Sequence, residues 1–391
     1  MKLFRTLSTS RLLLLVLAVA ALAVGVGAIA AVATGGSGAT PPDKSLAQAL
    51  HDSLAGPAPE GITARITFTN KLFPSGAITG QVGSALMSGA SGRLWATNDG
   101  RGRLELQSNA GDVQIVWDQN QVSVFDASSN TVYRAALPPR SKGADTNQAT
   151  SGVPAVDEIA TFLSKLGTHV DLTGAQPANV GGQEAYSVRI SPKHDGGLLG
   201  AAELAWDASR PVPLRVGIYA QGATSPVLEL AARDISFGAV PESDVAVSPP
   251  AKAKVVDLGG LTKSDGTQEQ GTSTHVTGFD AVKAAAPFAV VAPADLVGLP
   301  RQVIRLVGKG EGATAVSVYG HGLGAIVVVE RTGQTSGALG ALPEVSLDGV
   351  TAHELATQLG TALTWKHGGV SYVLAGSVPP AAAEAAARAL G

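Results

Sequence analysis

A few short stretches of the sequence have residue types that could do chemistry, and none completes a catalytic or metal-binding motif. His353 and Glu354 begin like a zinc-protease motif, but position 357 is a threonine, so the second histidine ligand is missing. We therefore predict that residues 351–354 form a capping box, which opens a helix ending at Gly360. Cysteine is absent, which excludes disulfides, thiolate metal sites and a cysteine nucleophile.

Two glycine-rich runs, residues 308–312 and 320–324, resemble phosphate-binding loops in composition only. A P-loop or a dinucleotide fingerprint needs a helix after the glycines, whereas Ala-Ile-Val-Val-Val follows the second run and is typical of a strand. We predict that both runs are hairpin turns. Asp118 and Asp126 fall at predicted strand ends, where turn formation is the usual role of aspartate. The sequence thus predicts a protein without enzymatic activity, cofactor or metal.

Length and composition limit the remaining function classes. A chain of 391 residues predicts two or three domains, and 45% hydrophobic against 15% charged residues is ample material for their cores. The net charge of −3 gives no electrostatic reason to expect a nucleic-acid partner.

The stretch from residue 92 to residue 138 is organised as short runs of β-branched, aromatic and leucine residues. The runs are separated by turn residues, such as Asn98-Asp99-Gly100 and Asn109-Ala110-Gly111. Four or five strands joined by tight turns make an antiparallel meander. Nothing in this stretch has the residues of a catalytic site, so the surface of a curved sheet is its candidate working part.

The order of these strands resembles the LolA/RseB-like superfamily, including LolA-, LolB- and LppX-type proteins. The resemblance covers roughly residues 44–250 and is carried by five features: a Gly-x-Leu-Trp strand at 92–95, an arginine-rich hairpin at 101–106, a strand ending in Trp117-Asp118, Val-x-Val-Phe-Asp at 122–126, and Asn-Thr-Val-Tyr-Arg at 130–134. In that family, an incomplete antiparallel β-barrel wraps a hydrophobic cavity that helices close. Its members carry or sense lipids and lipoproteins in the cell envelope.

The resemblance implies an α+β fold, with an antiparallel half-barrel and a helical lid. Residues 155–166 have an apolar stripe that includes Leu163, opposite Asp157, Glu158 and Lys165, and predict an amphipathic helix. In the family such a helix lies across the mouth of the half-barrel; an ordinary core helix on a sheet face is the alternative. The candidate cavity residues are Ile66, Phe68, Leu94, Leu104, Leu106, Ile115, Trp117, Val122, Val124 and Leu163.

The N-terminus predicts export. Lys2, Arg5 and Arg11 precede an apolar run at residues 12–33, which as a helix would span roughly 33 Å, enough for a bilayer core. Small residues at 28–30 and 31–33 also fit a signal-peptide cleavage site. We favour an uncleaved anchor with a cytoplasmic N-terminus; secretion after cleavage is the alternative. The absence of cysteine excludes a lipobox.

Composition divides the exported part. Residues 258–278 are rich in Gly, Ser, Thr and Gln and predict a linker.

In the loop at 192–200, Leu198 and Leu199 predict either an apolar flap or the start of the next strand. The expected organisation is a basic cytoplasmic segment (1–11), a transmembrane helix or signal sequence (12–34), a flexible tether (35–43), a LolA-like half-barrel domain (44–257), the linker (258–278) and a small C-terminal α+β domain (279–391).

Two functions follow from this organisation. The first is a membrane-anchored, extracytoplasmic protein that holds a lipid or a lipoprotein acyl chain, because each buried methylene contributes about 0.8 kcal/mol. The alternative is an RseB-like regulator that binds an anti-sigma factor or another membrane protein in the envelope.

Overall fold

The computed structural model describes residues 38–72, 85–137, 153–194, 197–257, 276–333 and 342–391. These residues form two separate sheets and a few helices. The apolar run at 12–34 and most of the predicted linker lie outside the described residues. None of the helices within the described ranges is long and apolar enough to cross a membrane.

The first sheet has 13 strands in the order β13-β6-β5-β4-β3-β2-β1-β12-β11-β10-β9-β7, and β8 also pairs with β9. Neighbouring strands are antiparallel, except that β13 runs parallel to β6. No pairing joins the two ends of this order among the described residues, so the sheet is open. Its strands are β1 (Gly61–Asn70), β2 (Ala90–Thr97), β3 (Gly102–Gln107), β4 (Val113–Trp117), β5 (Gln121–Asp126), β6 (Thr131–Ala136), β7 (Val170–Leu172), β8 (Gln176–Val180), β9 (Gln183–Pro192), β10 (Leu199–Asp207), β11 (Pro213–Ala220), β12 (Leu228–Phe237) and β13 (Lys254–Asp257).

The predicted meander is confirmed as β2 to β6, which pair in sequence order. Its turns use the residues that the sequence indicated. Gly100 and Gly111 have φ of 89° and 119°, and Asn130 has φ of 47°, a left-handed conformation that asparagine tolerates better than most residues. The side chain of Asp118 accepts hydrogen bonds from the amides of Asn120 (2.7 Å) and Gln121 (2.8 Å), which is a turn role.

Four helices accompany the first sheet: α1 (Leu46–Ala55), α2 (Ala85–Ser88), α3 (Val156–Leu166) and α4 (Glu242–Val245). The N-cap of α1 is Ser45, whose hydroxyl accepts a hydrogen bond from Gln48 N at 3.2 Å. Ala49 of α1 packs with Tyr186 and Trp206 of the sheet. Helix α3 lies where it was predicted and packs against α1.

The second sheet has nine strands, in the order β14-β16-β17-β18-β22-β21-β20-β19, with β15 paired to β16. Helix α6 packs on β21 and β22, and its Arg388 forms an ion pair with Glu384 at 2.7 Å. The elements are β14 (Val276–Thr277), α5 (Phe279–Ala285), β15 (Asp295–Leu296), β16 (Leu299–Val307), β17 (Thr314–Tyr319), β18 (Ile326–Thr332), β19 (Glu344–Leu347), β20 (Val350–Thr357), β21 (Gly360–His367), β22 (Val370–Gly376) and α6 (Pro380–Arg388).

Two predictions for the second sheet are wrong. Residues 351–360 are not a helix; they include most of strand β20, which pairs with β19 and β21. The capping-box pattern is a local signal, and strand pairing on both sides outweighs it because Ala352 is fully buried opposite Trp365. The apolar run Phe-Ala-Val-Val at 288–291 predicts a short strand from sequence, and this prediction is also wrong. The amide of Val291 instead donates a hydrogen bond to the Glu330 carboxylate at 2.8 Å.

The two sheets touch through a small number of polar contacts. Leu198 N lies 3.1 Å from Ser377 O and 2.9 Å from Ser377 Oγ, and Gln358 Nε2 donates to Lys71 O at 2.8 Å. Leu199 begins strand β10, so the prediction that the next strand starts here is confirmed for Leu199. Leu198 lies in the turn before the strand and contacts the second sheet.

Candidate functional site

The nine candidate cavity residues of the first sheet lie on one face. Leu94, Leu104, Ile115 and Val124 form a row of directly paired positions across β2 to β5, and directly paired residues project to the same side of a sheet. All nine belong to, or pack against, one hydrophobic cluster. The nine residues therefore form one continuous apolar surface of the sheet, as the alternation in the sequence indicates. This surface is called the apolar face below.

The apolar face is filled by its own side chains where the structure describes it. Ile66 is 2% exposed, Leu106 1% and Trp117 4%, and Phe68, Val122 and Val124 are partly buried against them. Ala85 of the short helix α2 is fully buried in the same cluster. The described part of this face is thus buried, and its side chains pack together in one hydrophobic cluster.

The apolar face continues beyond the meander to the helices. Phe68 is paired with Leu230, Leu230 with Val216, Val216 with Leu204 and Leu204 with Val188, so these side chains share one side of the sheet. Leu204 and Val188 pack in the cluster that contains Ala49 of α1. Helix α1 therefore covers one end of the apolar face, and α3 packs on α1.

Leu163, the tenth candidate, lies apart from the other nine. It is half-buried on α3 and does not belong to the cluster that joins them. Within α3, only Ile159 is buried, at 8% exposure. Phe162, which is absent from the candidates predicted from sequence, lies at the edge of the apolar stripe and is 57% exposed. Helical spacing could have found it, because Phe162 is three residues after Ile159.

The opposite face of β9 to β12 carries a cluster of charges. Glu203 forms ion pairs with Arg215 and, at 3.8 Å, with Arg189, and accepts a hydrogen bond from the Tyr219 hydroxyl at 3.1 Å. Burial raises the pKa of the nearby Glu229 carboxyl, and the charge of Arg215 opposes that effect. This arrangement balances its charges internally and holds the strands together. Across the described ranges, no group of three or more His, Asp or Glu side chains could hold a metal ion.

The second sheet contains one strongly perturbed acid, Glu330. Its side chain is fully buried, and burial raises the pKa of its carboxyl to about 7, against the lowering effect of the Val291 amide. One carboxylate oxygen accepts the Val291 hydrogen bond, while the other has no partner among the described residues. Tyr319 and Tyr372 lie beside it, and burial raises the pKa of each to about 12.

No protein-family model and no curated protein matches the chain. Solved structures similar to it include MucB in complex with MucA(peri), at 15% identity and a TM-score of 0.40, covering 88% of this chain and 94% of that one. The MucA/MucB complex of Pseudomonas aeruginosa gives 16% identity and a TM-score of 0.38, with the same coverage of both chains.

A putative outer membrane lipoprotein-sorting protein domain from Vibrio parahaemolyticus is also similar, at 13% identity and a TM-score of 0.21, and covers 51% of this chain and 94% of that domain. These are distant likenesses, and no residue of this chain takes its role from them. MucB and a lipoprotein-sorting domain are the kinds of solved structure to which the chain is similar, and the sequence resemblance named proteins of these kinds.

Proposed function

We propose that the chain is an extracytoplasmic binding protein, anchored in the membrane by residues 12–34, whose ligand is another envelope protein. The observation that carries this proposal is the contrast between two apolar surfaces. The apolar face of the first sheet is filled by the protein's own side chains, whereas Phe162 of α3 is left 57% exposed. Exposed aromatic side chains beside an apolar stripe are typical of protein interfaces.

The surface concerned consists of Phe162, Leu163 and Leu166, named here the α3 surface. Leu163 and Leu166 are half-buried, and Phe162 extends their apolar area into solvent. A large aromatic side chain that becomes fully covered in a complex can supply a large share of the binding energy. A single-span membrane protein, such as an anti-sigma factor, is the partner class that the RseB-like layout suggests. One of the solved structures similar to this chain is MucB in complex with MucA(peri).

Site-specific photo-crosslinking tests this proposal. A photoreactive amino acid replaces Phe162 in the full chain, in the membranes of the native host, and the adducts are identified by mass spectrometry. We expect one predominant protein adduct with a single membrane span. The matched control replaces Tyr133, which is 36% exposed on β6, and should give no such adduct. Equal labelling of the same protein from both positions would reject the α3 surface as the interface.

The second candidate function is the holding of an acyl chain, and the continuity of the apolar face favours it. The face passes from Phe68 through Leu204 to the strands that α1 covers, so a displacement of α1 and α3 would open an apolar groove. Each methylene buried there would contribute about 0.8 kcal/mol. The ten predicted cavity residues, Leu163 included, remain the proposed lining for this function.

Leu163→Ala distinguishes this second function from a plain packing role. If α3 closes an acyl-chain groove, the variant should lower the melting temperature little and weaken the binding of a fluorescent fatty acid. The comparison variant is Leu106→Ala, at a position 1% exposed, which should cost about 2–5 kcal/mol of unfolding free energy. A large loss of stability in Leu163→Ala, with no binding of the probe by the wild type, would contradict the acyl-chain function.

A further inference from the structure

A strap, defined as residues 242–249, crosses the sheet on the side opposite the apolar face. Arg101 forms an ion pair with Glu242, and Arg103 Nη1 donates to Asp244 O at 3.3 Å, which fixes the start of the strap. After the strap, Lys254 N donates to Asn130 O at 2.9 Å and begins the parallel pairing of β13 with β6. Both ends of the strap are therefore held against the meander.

A cavity of about 340 Å³ lies between the strap and the sheet. Its floor consists of residues that alternate with those of the apolar face: Val116, Ser123 and Arg134 are directly paired across β4 to β6, and so are Phe125 and Val132 in the next row. Val245 to Pro249 of the strap form its roof. Val132 is fully buried beneath them. The lining of the cavity is thus mixed, with about as much polar as apolar surface.

Arg134 is the unusual group in this cavity. Its Nε is buried and has no hydrogen-bond partner among the described residues. The other arginine of the lining, Arg101, is paired with Asp99 at 2.8 Å and with Glu242. Asp118 uses its carboxylate for the turn amides described above. A buried guanidinium N–H without an acceptor is costly, and a rotation of the Arg134 side chain, which lines the cavity, would present it to an anionic ligand there.

We propose that this cavity binds a small amphipathic carboxylate. The carboxylate accepts hydrogen bonds from Arg134, and the apolar body lies against Val116, Phe125 and Val132. The volume is near the lower end for small-molecule sites, which fits a compact organic acid rather than a two-chain lipid. A phospholipid headgroup offers the same anionic chemistry, and the experiment below separates the two sources. The site is on the other side of the sheet from the apolar face, so it is independent of the function proposed above.

The test uses the full chain in zwitterionic nanodiscs and the probe 4-(4-fluorophenyl)butyrate, followed by fluorine NMR against empty nanodiscs. We expect saturable binding to the wild type. Arg134→Gln should weaken it about tenfold or more, because a hydrogen bond to a charged group is lost. Arg305→Gln, the same change at an exposed position of the second sheet, should leave it unaffected. Ser123→Phe, which fills the cavity, should abolish it.

A second measurement keeps the test independent of how the variants fold. The uncharged analogue 4-(4-fluorophenyl)butanol should bind the wild type at least tenfold more weakly than the acid. Equal binding of alcohol and acid, absence of saturable binding by the acid, or unchanged binding by a folded Arg134→Gln variant would each overturn the proposal. Displacement of the probe by nanodiscs that contain phosphatidylglycerol would assign the cavity to lipid headgroups, and would also overturn it.

Discussion

At the scale of single residues, burial decides the behaviour of the few charged groups inside the protein. Glu203 forms ion pairs with two arginines, whereas Glu330 has one backbone amide and two tyrosines around it. The first acid is thus part of a balanced ion cluster. The second is held in an environment that favours its neutral form.

Glu330 makes the stability of the second sheet depend on pH. The folded-state pKa of Glu330 is about 7, above the ordinary value of 4.5. The stabilisation that this carboxyl contributes to the folded state is therefore fully present below about pH 4.5, and it is lost as pH rises through 7. Glu330→Gln should therefore raise the unfolding free energy above pH 7 by about 1–3 kcal/mol and flatten its decline between pH 5 and pH 8. Urea unfolding of the full chain at several pH values measures both effects.

The fluorescence of Trp365, which stacks on Tyr372 at 5.0 Å, identifies the relevant transition. Trp365→Phe should remove that signal and leave the other transitions visible. Glu344→Gln, at an exposed glutamate, is the matched control and should not change the pH profile. The same pH slope in Glu330→Gln and in the wild type would show that Glu330 is not the titrating group.

At the scale of elements, strongly periodic segments were predictable from sequence and short or isolated ones were not. The meander and α3 were predicted almost to the residue because alternation and helical spacing extend over many positions. Strands β7, β8 and β13 are three to five residues long and were missed, because so few positions define no period. The helix predicted at residues 351–360 failed because a cap motif contains no information about neighbouring strands.

The candidate site, like the elements, could be predicted from sequence only in part. Sequence alternation predicted which residues share the apolar face, but it could not predict whether a ligand or other side chains fill that face, because filling depends on contacts distant in sequence. Ala85 of α2 is an example, since it completes the cluster from outside the meander. Likewise, nothing in the local sequence showed that the strap would cover Val132 and leave Arg134 Nε without a partner.

Helix α3 should have one structural side and one functional side. Ile159 is 8% exposed, so Ile159→Ser should destabilise the protein by about 2 kcal/mol or more, through lost packing and a buried hydroxyl. Phe162→Ser should change the unfolding free energy by less than about 0.5 kcal/mol, since the side chain is mainly in solvent. Thermal or urea unfolding of the two variants tests this. Equal destabilisation would mean that Phe162 is part of the core and not of a binding surface.

At the scale of the whole molecule, the contacts that join the two sheets among the described residues include polar ones. Leu198 with Ser377, and Lys71 with Gln358, are polar contacts near the surface, whereas each sheet has hydrophobic clusters of its own. The organisation into a domain at 44–257, a linker at 258–278 and a domain at 279–391 therefore remains our proposal. It predicts modules that fold separately.

Limited proteolysis of the full chain tests this organisation. We expect preferred cleavage within residues 258–275, because their Gly, Ser, Thr and Gln composition is typical of a linker, followed by two resistant fragments. N-terminal sequencing and mass measurement of the fragments locate the cuts. Protection of these residues, with cleavage inside either sheet, would indicate one fused unit.

Native mass spectrometry of the full chain, released from its own membranes, tests the central claim most directly. The claim is that the apolar face is already filled, so the ligand of this protein is another protein. We predict a complex of the chain with one further polypeptide, without a stoichiometric acyl lipid, and we predict that Phe162→Ser reduces the amount of that complex. A chain that carries one lipid mass and no polypeptide, in both the wild type and Phe162→Ser, would contradict the claim and assign the protein to lipid binding.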